Sequence, residues 1–191
     1  MSDLPHKLLA TTGLLLSAPL CASLAAAIWL AEGRPVFFTQ PRLGTDRVPF
    51  TIFKFRTMHQ GQVTPLGKHL RRWRLDELLQ LLNVARGEMR LVGPRPITQD
   101  DVTRLGWEEA RFERRWSVAP GMTGPTQLSR ICDAAHSMRL DLWYVENAGA
   151  LVDLHIILRT LRLPSPFEGL APVQGLSTLD RASATAPKTS T

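Results

Sequence analysis

The sequence predicts a mixed α/β fold dominated by helices, set behind an apolar N-terminal segment. Three observations carry that reading. Leu8 to Ala31 runs for 24 residues without a charged side chain. Val36–Phe38 and Phe50–Phe55 are short β-prone pieces around a Gly44–Asp46 turn, enough for a small sheet. Leu75–Ala85 and Arg139–Leu161 repeat apolar residues at helical spacing. A chain of 191 residues, 44% hydrophobic and 21% charged, has the material for one core with short appendages, which excludes whole-chain disorder. Its two cysteines, Cys21 and Cys132, make no disulfide framework, and no Cys/His cluster has zinc-ligand spacing, so the expected compartment is reducing. A net charge of +6 favours polyanionic partners: nucleic acid, an anionic membrane surface or phosphorylated substrates.

Taken in order, the apolar run comes first. As a straight helix its 24 residues reach about 36 Å, enough to cross a hydrocarbon core about 30 Å thick. Pro19 sits near its middle after Ser17 and Ala18, and a proline there removes a backbone hydrogen bond and kinks the helix. Three readings stay open on the residues alone: a plain span, a secretory signal peptide, and a re-entrant hairpin whose Ser17 hydroxyl partners carbonyls freed by the proline. Hydropathy by itself favours the plain span.

Residues 34–75 carry nine basic side chains against one acid, Asp46, and directly follow the apolar run. That placement points to lipid headgroups or phosphates more than to nucleic acid, since no motif of a nucleic-acid reader accompanies it. Leu75–Ala85 is a helix closed by Gly87 as its C-cap. Gly93-Pro94-Arg95-Pro96 is irregular, and Asp100 or Asp101 caps a polar helix running to about Trp116. Pro120 to Pro125 is a turn-rich loop; Arg139–Leu161 is helical; and the Pro/Ser/Ala/Thr-rich residues after Leu163 form a loose tail.

The chemistry-bearing feature is the adjacent pair Asp76-Glu77, just after Arg71, Arg72 and Arg74. The bland reading is first-turn acids favourable to the helix dipole, with arginines pairing to them. The functional reading is a carboxylate nucleophile kept ionised by cations, beside a second carboxylate suited to a hard metal ion.

The runs Gly33–Gly44, Phe50–Met58, Leu66–Leu78 with its Asp76-Glu77, Leu82-Asn83-Val84, Gly87–Met89, Leu91–Pro96, Pro120–Gly124 and Asp141–Asn147 with Asp153 resemble the bacterial sugar transferase family, in its small monotopic polyprenyl-phosphate phosphoglycosyl transferase class. The resemblance spans about residues 8–162. It implies that Asp76 attacks the β-phosphate of a nucleotide-diphosphate sugar, usually UDP-linked, and that polyprenyl phosphate then takes the phosphosugar. It implies that Glu77 helps hold Mg²⁺, and that Lys54, Arg56, Arg71, Arg95 and Arg130 contact substrate. It also implies a re-entrant membrane helix kinked at Ser17 and Pro19 in residues 1–33, a small cytoplasmic globular head with interfacial amphipathic helices in 34–162, and a flexible tail in 163–191. Both ends of the hairpin would lie on the cytoplasmic side of the bacterial inner membrane. The partners implied are a UDP-sugar, undecaprenyl phosphate and membrane lipid, with no nucleic acid.

The sequence departs from the family pattern in four places: Ala18 stands next to the kink proline, Arg74 and Leu79 flank the acid pair, Pro125 replaces an aromatic, and the glycine before Arg130 is missing. The rival reading is a catalytically weak homologue serving as a membrane scaffold for glycan assembly. The intact Asp76-Glu77 pair counts against it.

Overall fold

The computed structural model describes residues 3–129 and 133–161. The expected tail at 163–191, Arg130 and Cys132 lie outside them. The described chain is mixed α/β and helix-dominated, with its strands paired into two-stranded sheets. Its described residues form two compact units: one holds those up to Gly44 together with Val48–Leu91, the other holds Thr45–Arg47 and those from Val92 onward. The expected segments 1–33 and 34–162 are functional divisions, and the compact units divide elsewhere.

In the first unit, helix α1 (Leu4–Glu32) starts with Pro5 in its first turn, where a missing N–H costs nothing, and ends at Gly33. It is helical through Pro19 and long and apolar enough to cross a membrane. The Ser17 hydroxyl donates to the Leu14 carbonyl at 3.3 Å, not to the Leu15 carbonyl that Pro19 orphans. Serine in a helix reaches back three or four residues, and Leu15 is only two away. Only Ala10 and Ile28 of α1 are buried. Leu8, Leu9, Leu15, Leu16, Leu20 and Leu30 are exposed, so most of the helix presents apolar surface outward.

The remaining face of α1 runs antiparallel to residues 70–90. Asp3 pairs with Arg90 at 3.4 Å, and the Arg90 guanidinium lies 2.8 Å from His6. Gly13 faces Leu81, while Ile28, with Cys21, Leu24 and Ala25, packs into a cluster with Phe55, Leu70, Leu75 and Leu79. At the far end Arg56 donates to the carbonyls of Glu32 and Gly33 at 2.9 and 3.1 Å. Both ends of the helix are therefore tied to one unit.

The hairpin expected near 36–58 is present: β1 (Phe37–Leu43) pairs antiparallel with β2 (Pro49–Phe55), the former longer than expected. The short strands β3 (Met58–His59) and β4 (Gln62–Val63) follow. Then comes α2 (Pro65–Arg72), which the sequence reading missed; the Thr64 hydroxyl caps it by accepting from the Gly67 N–H. The helix expected at 75–85 is two pieces, a 3₁₀ turn at Leu75–Glu77 and α3 (Gln80–Arg86), and Gly87 at φ 83° closes it as expected. Asn83, fully buried, locks α3 to β2 by accepting from the Phe53 N–H and donating to the Thr51 carbonyl. The chain leaves this unit within β5 (Arg90–Val92).

In the second unit the polar helix expected from residue 100 to Trp116 is broken at Gly106, φ 68°. Its first piece, α4 (Gln99–Leu105), is capped not by Asp100 or Asp101 but by Thr98, with Asp101 bonding back to the Thr98 N–H. A 3₁₀ stretch, Ala110–Ser117, follows. The turn-rich loop contains β6 (Gly121–Thr123), and α5 (Pro125–Leu128) succeeds it. The helix expected over 139–161 divides at Ala148-Gly149 into α6 (Ala134–Asn147) and α7 (Ala150–Thr160). Gly149 and Ala148 sit in extended conformations that no helix continues through.

Candidate active site

The first unit brings Lys54, Arg71, Asp76 and Glu77 together from three elements. α2 lies close on the chain after β2: a Cβ on Gly67 would sit 2.2 Å from the Thr57 carbonyl oxygen, so the helix approaches backbone to backbone. One turn on, the Arg71 Nε donates to the Thr57 hydroxyl at 2.8 Å, which fixes the guanidinium stem. Thr57 is buried and was not singled out from the sequence. Arg74 then takes a left-handed conformation, φ 54° and ψ 23°, turning the chain from α2 into the 3₁₀ turn of Asp76 and Glu77. Because that turn precedes α3, the two acids do not occupy the first turn of the long helix on which the dipole reading depended.

Asp76 is 8% exposed, and Glu77, half-buried, pairs with Lys54 at 2.7 Å. Burial pushes the Asp76 carboxyl above the usual carboxylate value and the adjacent Glu77 charge adds to this; Lys54, a backbone bond and Arg71 pull it the other way. The sequence reading expected cations to prevail. Desolvation outweighs them. A carboxylate that is poorly solvated and crowded by a second acid is a destabilised anion, hence reactive toward an electrophile and receptive to a cation.

Among the described residues no group of three or more His, Cys, Asp and Glu could hold a metal ion. The Asp76-Glu77 pair still suits Mg²⁺, which is characteristically bound by one or two carboxylates with substrate phosphates completing its oxygen shell.

The remaining expected contacts fall elsewhere. Arg56, 8% exposed, is engaged with the carbonyls at the end of α1 and with Glu32 at 3.7 Å. Arg95 belongs to the second unit; its side chain is exposed and its carbonyl accepts from Arg115 at 2.6 Å. Arg72 is exposed, its guanidinium over the Trp73 ring. Ser17 and Pro19 lie within α1, as above. Arg115 itself, unnoticed in the sequence, pairs with Asp141 at 2.8 Å, both fully buried, and Asp141 also accepts from the Thr126 hydroxyl at 2.6 Å. The Tyr144 hydroxyl lies within hydrogen-bond distance of Asp153 and the Val92 carbonyl. The Asp141–Asn147 motif and Asp153 thus hold the second unit together. Gln80 was also missed: it is 2% exposed, and its amide nitrogen meets no acceptor among the described residues. Burial recurs at 76, 80, 83 and 84, so Gln80 shares the inward side of the segment with Asp76.

The sequence model for bacterial sugar transferases matches residues 3–164. The chain is 37% identical to the uncharacterized sugar transferase EpsL of Bacillus subtilis, over 76% of this chain and 77% of that protein. It is 38% identical to an undecaprenyl-phosphate glucose phosphotransferase of Komagataeibacter xylinus, over 78% of this chain and 33% of that protein. A UDP-glucose:undecaprenyl-phosphate glucose-1-phosphate transferase of Caulobacter vibrioides is 37% identical, over 76% of this chain and 62% of that protein.

Proposed function

The chain belongs to the bacterial sugar transferase family, and from that premise we propose that it moves a phosphosugar from a UDP-sugar to undecaprenyl phosphate through a covalent intermediate on Asp76. An Asp76 carboxylate oxygen attacks the β-phosphorus of the donor; the bond from that phosphorus to the bridging oxygen breaks, and UMP leaves with the electron pair. An oxygen of the acceptor phosphate then attacks the same phosphorus. The bond to Asp76 breaks, giving undecaprenyl-diphosphate sugar and a free carboxylate. Neither step needs a side-chain base, because both nucleophiles are anions.

The observation that carries this reading is a buried, destabilised carboxylate set beside one paired acid and two cations in a single unit. Arg71, oriented by Thr57, offers a fork to phosphate oxygens, and Lys54 places a second positive charge at Glu77. Glu77 is the residue that would hold Mg²⁺. When bound, that ion supplies positive charge against the diphosphate. Arg56 serves the site by securing the end of α1 next to β2.

We place α1 in the cytoplasmic leaflet as a monotopic, re-entrant element. Support comes from its two ends, both bound to the unit that carries Asp76. A helix so tethered does not deliver its ends to opposite faces of a bilayer. A UDP-sugar is cytosolic, which sets the face. Intact-protein mass spectrometry after mixing with a panel of UDP-sugars, without acceptor, tests the reaction: wild type gains the mass of a phosphosugar and Asp76→Asn does not. An adduct on Asp76→Asn, or none on wild type with any donor, ends this reading and returns the scaffold role.

A further inference from the structure

We propose that a groove at the C-terminal end of α1 seats the acceptor, with the phosphate of a prenyl-type lipid at Arg34 and the first part of its chain against Trp29 and Phe37. The inference rests on the function above and assigns a place to its second substrate. The groove measures about 530 Å³ and is lined by Ala25, Ala26, Trp29, Arg34, Val36 and Phe37. That is a volume ordinary for a small-molecule site, about 300–1,000 Å³. It is large because α1 offers alanines where longer side chains would close it.

Its chemistry is one-sided. Trp29 and Phe37 are 54% and 53% exposed, two aromatic walls left uncovered. Arg34 is exposed at the rim, and its guanidinium has no partner among the described residues, while its carbonyl accepts from Arg56 at 3.3 Å. The backbone is held and the charge is unspent. A single cation over an apolar trough matches a ligand with one phosphate and a hydrocarbon tail, and matches a nucleotide sugar poorly.

Its inner wall reaches the reacting carboxylate's own support. Ala25 and Val36 pack on the Ile28, Phe55 and Leu70 cluster that Leu75, the residue before Asp76, also joins. An acceptor in the groove is thus held on the scaffold from which Asp76 projects.

The experiment uses the full chain in nanodiscs with farnesyl phosphate carrying a diazirine on its first isoprene unit. Photolysis should label residues 25–37 in wild type, and labelling should fall at least tenfold in Arg34→Ala and Ala26→Trp. Labelling elsewhere, or unchanged in both variants, overturns the site whether or not any adduct forms. Loss of label on replacing the surrounding lipid by anionic phosphatidylglycerol would assign the groove to a phospholipid instead and also overturn it. A second readout follows the two half-reactions. Both variants should form the phosphosugar adduct at the wild-type rate, and their KM for undecaprenyl phosphate in its discharge should rise about tenfold, with Arg34→Lys partly restored. Equal discharge by all proteins counts against the groove without touching the assignment of Asp76.

Discussion

The two units each bury an aspartate near an arginine, and they use it in opposite ways. In the second unit Asp141 and Arg115 are 1% and 2% exposed and fully engaged: Arg115 binds Asp141 and the Arg95 carbonyl, and Asp141 adds the Thr126 hydroxyl. In the first, Asp76 is 8% exposed and raised above its ordinary pKa, Arg71 gives only its Nε to Thr57, and Lys54 pairs with the neighbouring Glu77. A charge whose lone pairs are all satisfied is architecture; one left short of partners is available for chemistry.

That contrast can be broken at four strengths. Asp76→Asn should lower turnover by about 10⁴-fold or more, as loss of a nucleophile does. It should also raise the unfolding midpoint at neutral pH. A raised folded-state pKa means the carboxyl stabilises the fold only while protonated, so stability is lost as pH rises through that value, and the amide escapes this. Thermal melts of the two proteins should differ at pH 7 and converge as pH falls toward 4. Arg115→Met should do the reverse, destabilising by about 3–5 kcal/mol because it strands a buried carboxylate. Urea unfolding measures it, and any activity loss should follow the unfolded fraction.

Within the first unit, Arg71→Ala should cost about 10²-fold in kcat/KM, in line with removal of one preorganised donor to a charged transition state. Arg72→Ala, whose side chain is exposed beside Trp73, should stay within twofold. Equal rates for both variants would reduce these arginines to a basic patch. The smallest effect is expected at the cap of α4. Thr98→Ala should cost about 1 kcal/mol. Burial raises the Asp101 pKa, but bonds from Arg104 and Thr98 outweigh it and hold the carboxyl below its usual value. Its contribution is therefore present at neutral pH and fades as pH falls through the folded-state value.

Local signals carried much of this into the sequence. The uncharged run, the hairpin around Gly44 and the closing Gly87 were legible because each depends on neighbours within a few residues. Asp76 and Glu77 were legible as a pair through their spacing and their resemblance to a family. What escaped was set at long range. Thr57 orients Arg71 from 14 residues away, Arg115 meets Asp141 across 26, and no periodicity announces either. The sign of the Asp76 pKa was misjudged for the same reason: the arginines are visible in sequence, and the desolvation is not. The break at Gly106 cuts short a polar helix expected from its cap, and the split at Gly149 overrules a helical pattern that the apolar spacing alone would have continued.

The antiparallel seat of α1 has a consequence for how the protein is made. Asp3 and Arg90 are 87 residues apart in the chain, and they meet only after the whole first unit has been synthesised. At roughly 5–20 residues per second, Asp3 waits about 4–17 s for Arg90 to be made. During that interval the exposed leucines have only lipid or a chaperone to cover them. The apolar face of α1 is thus available to lipid before the contacts that seat the helix on residues 70–90 can form.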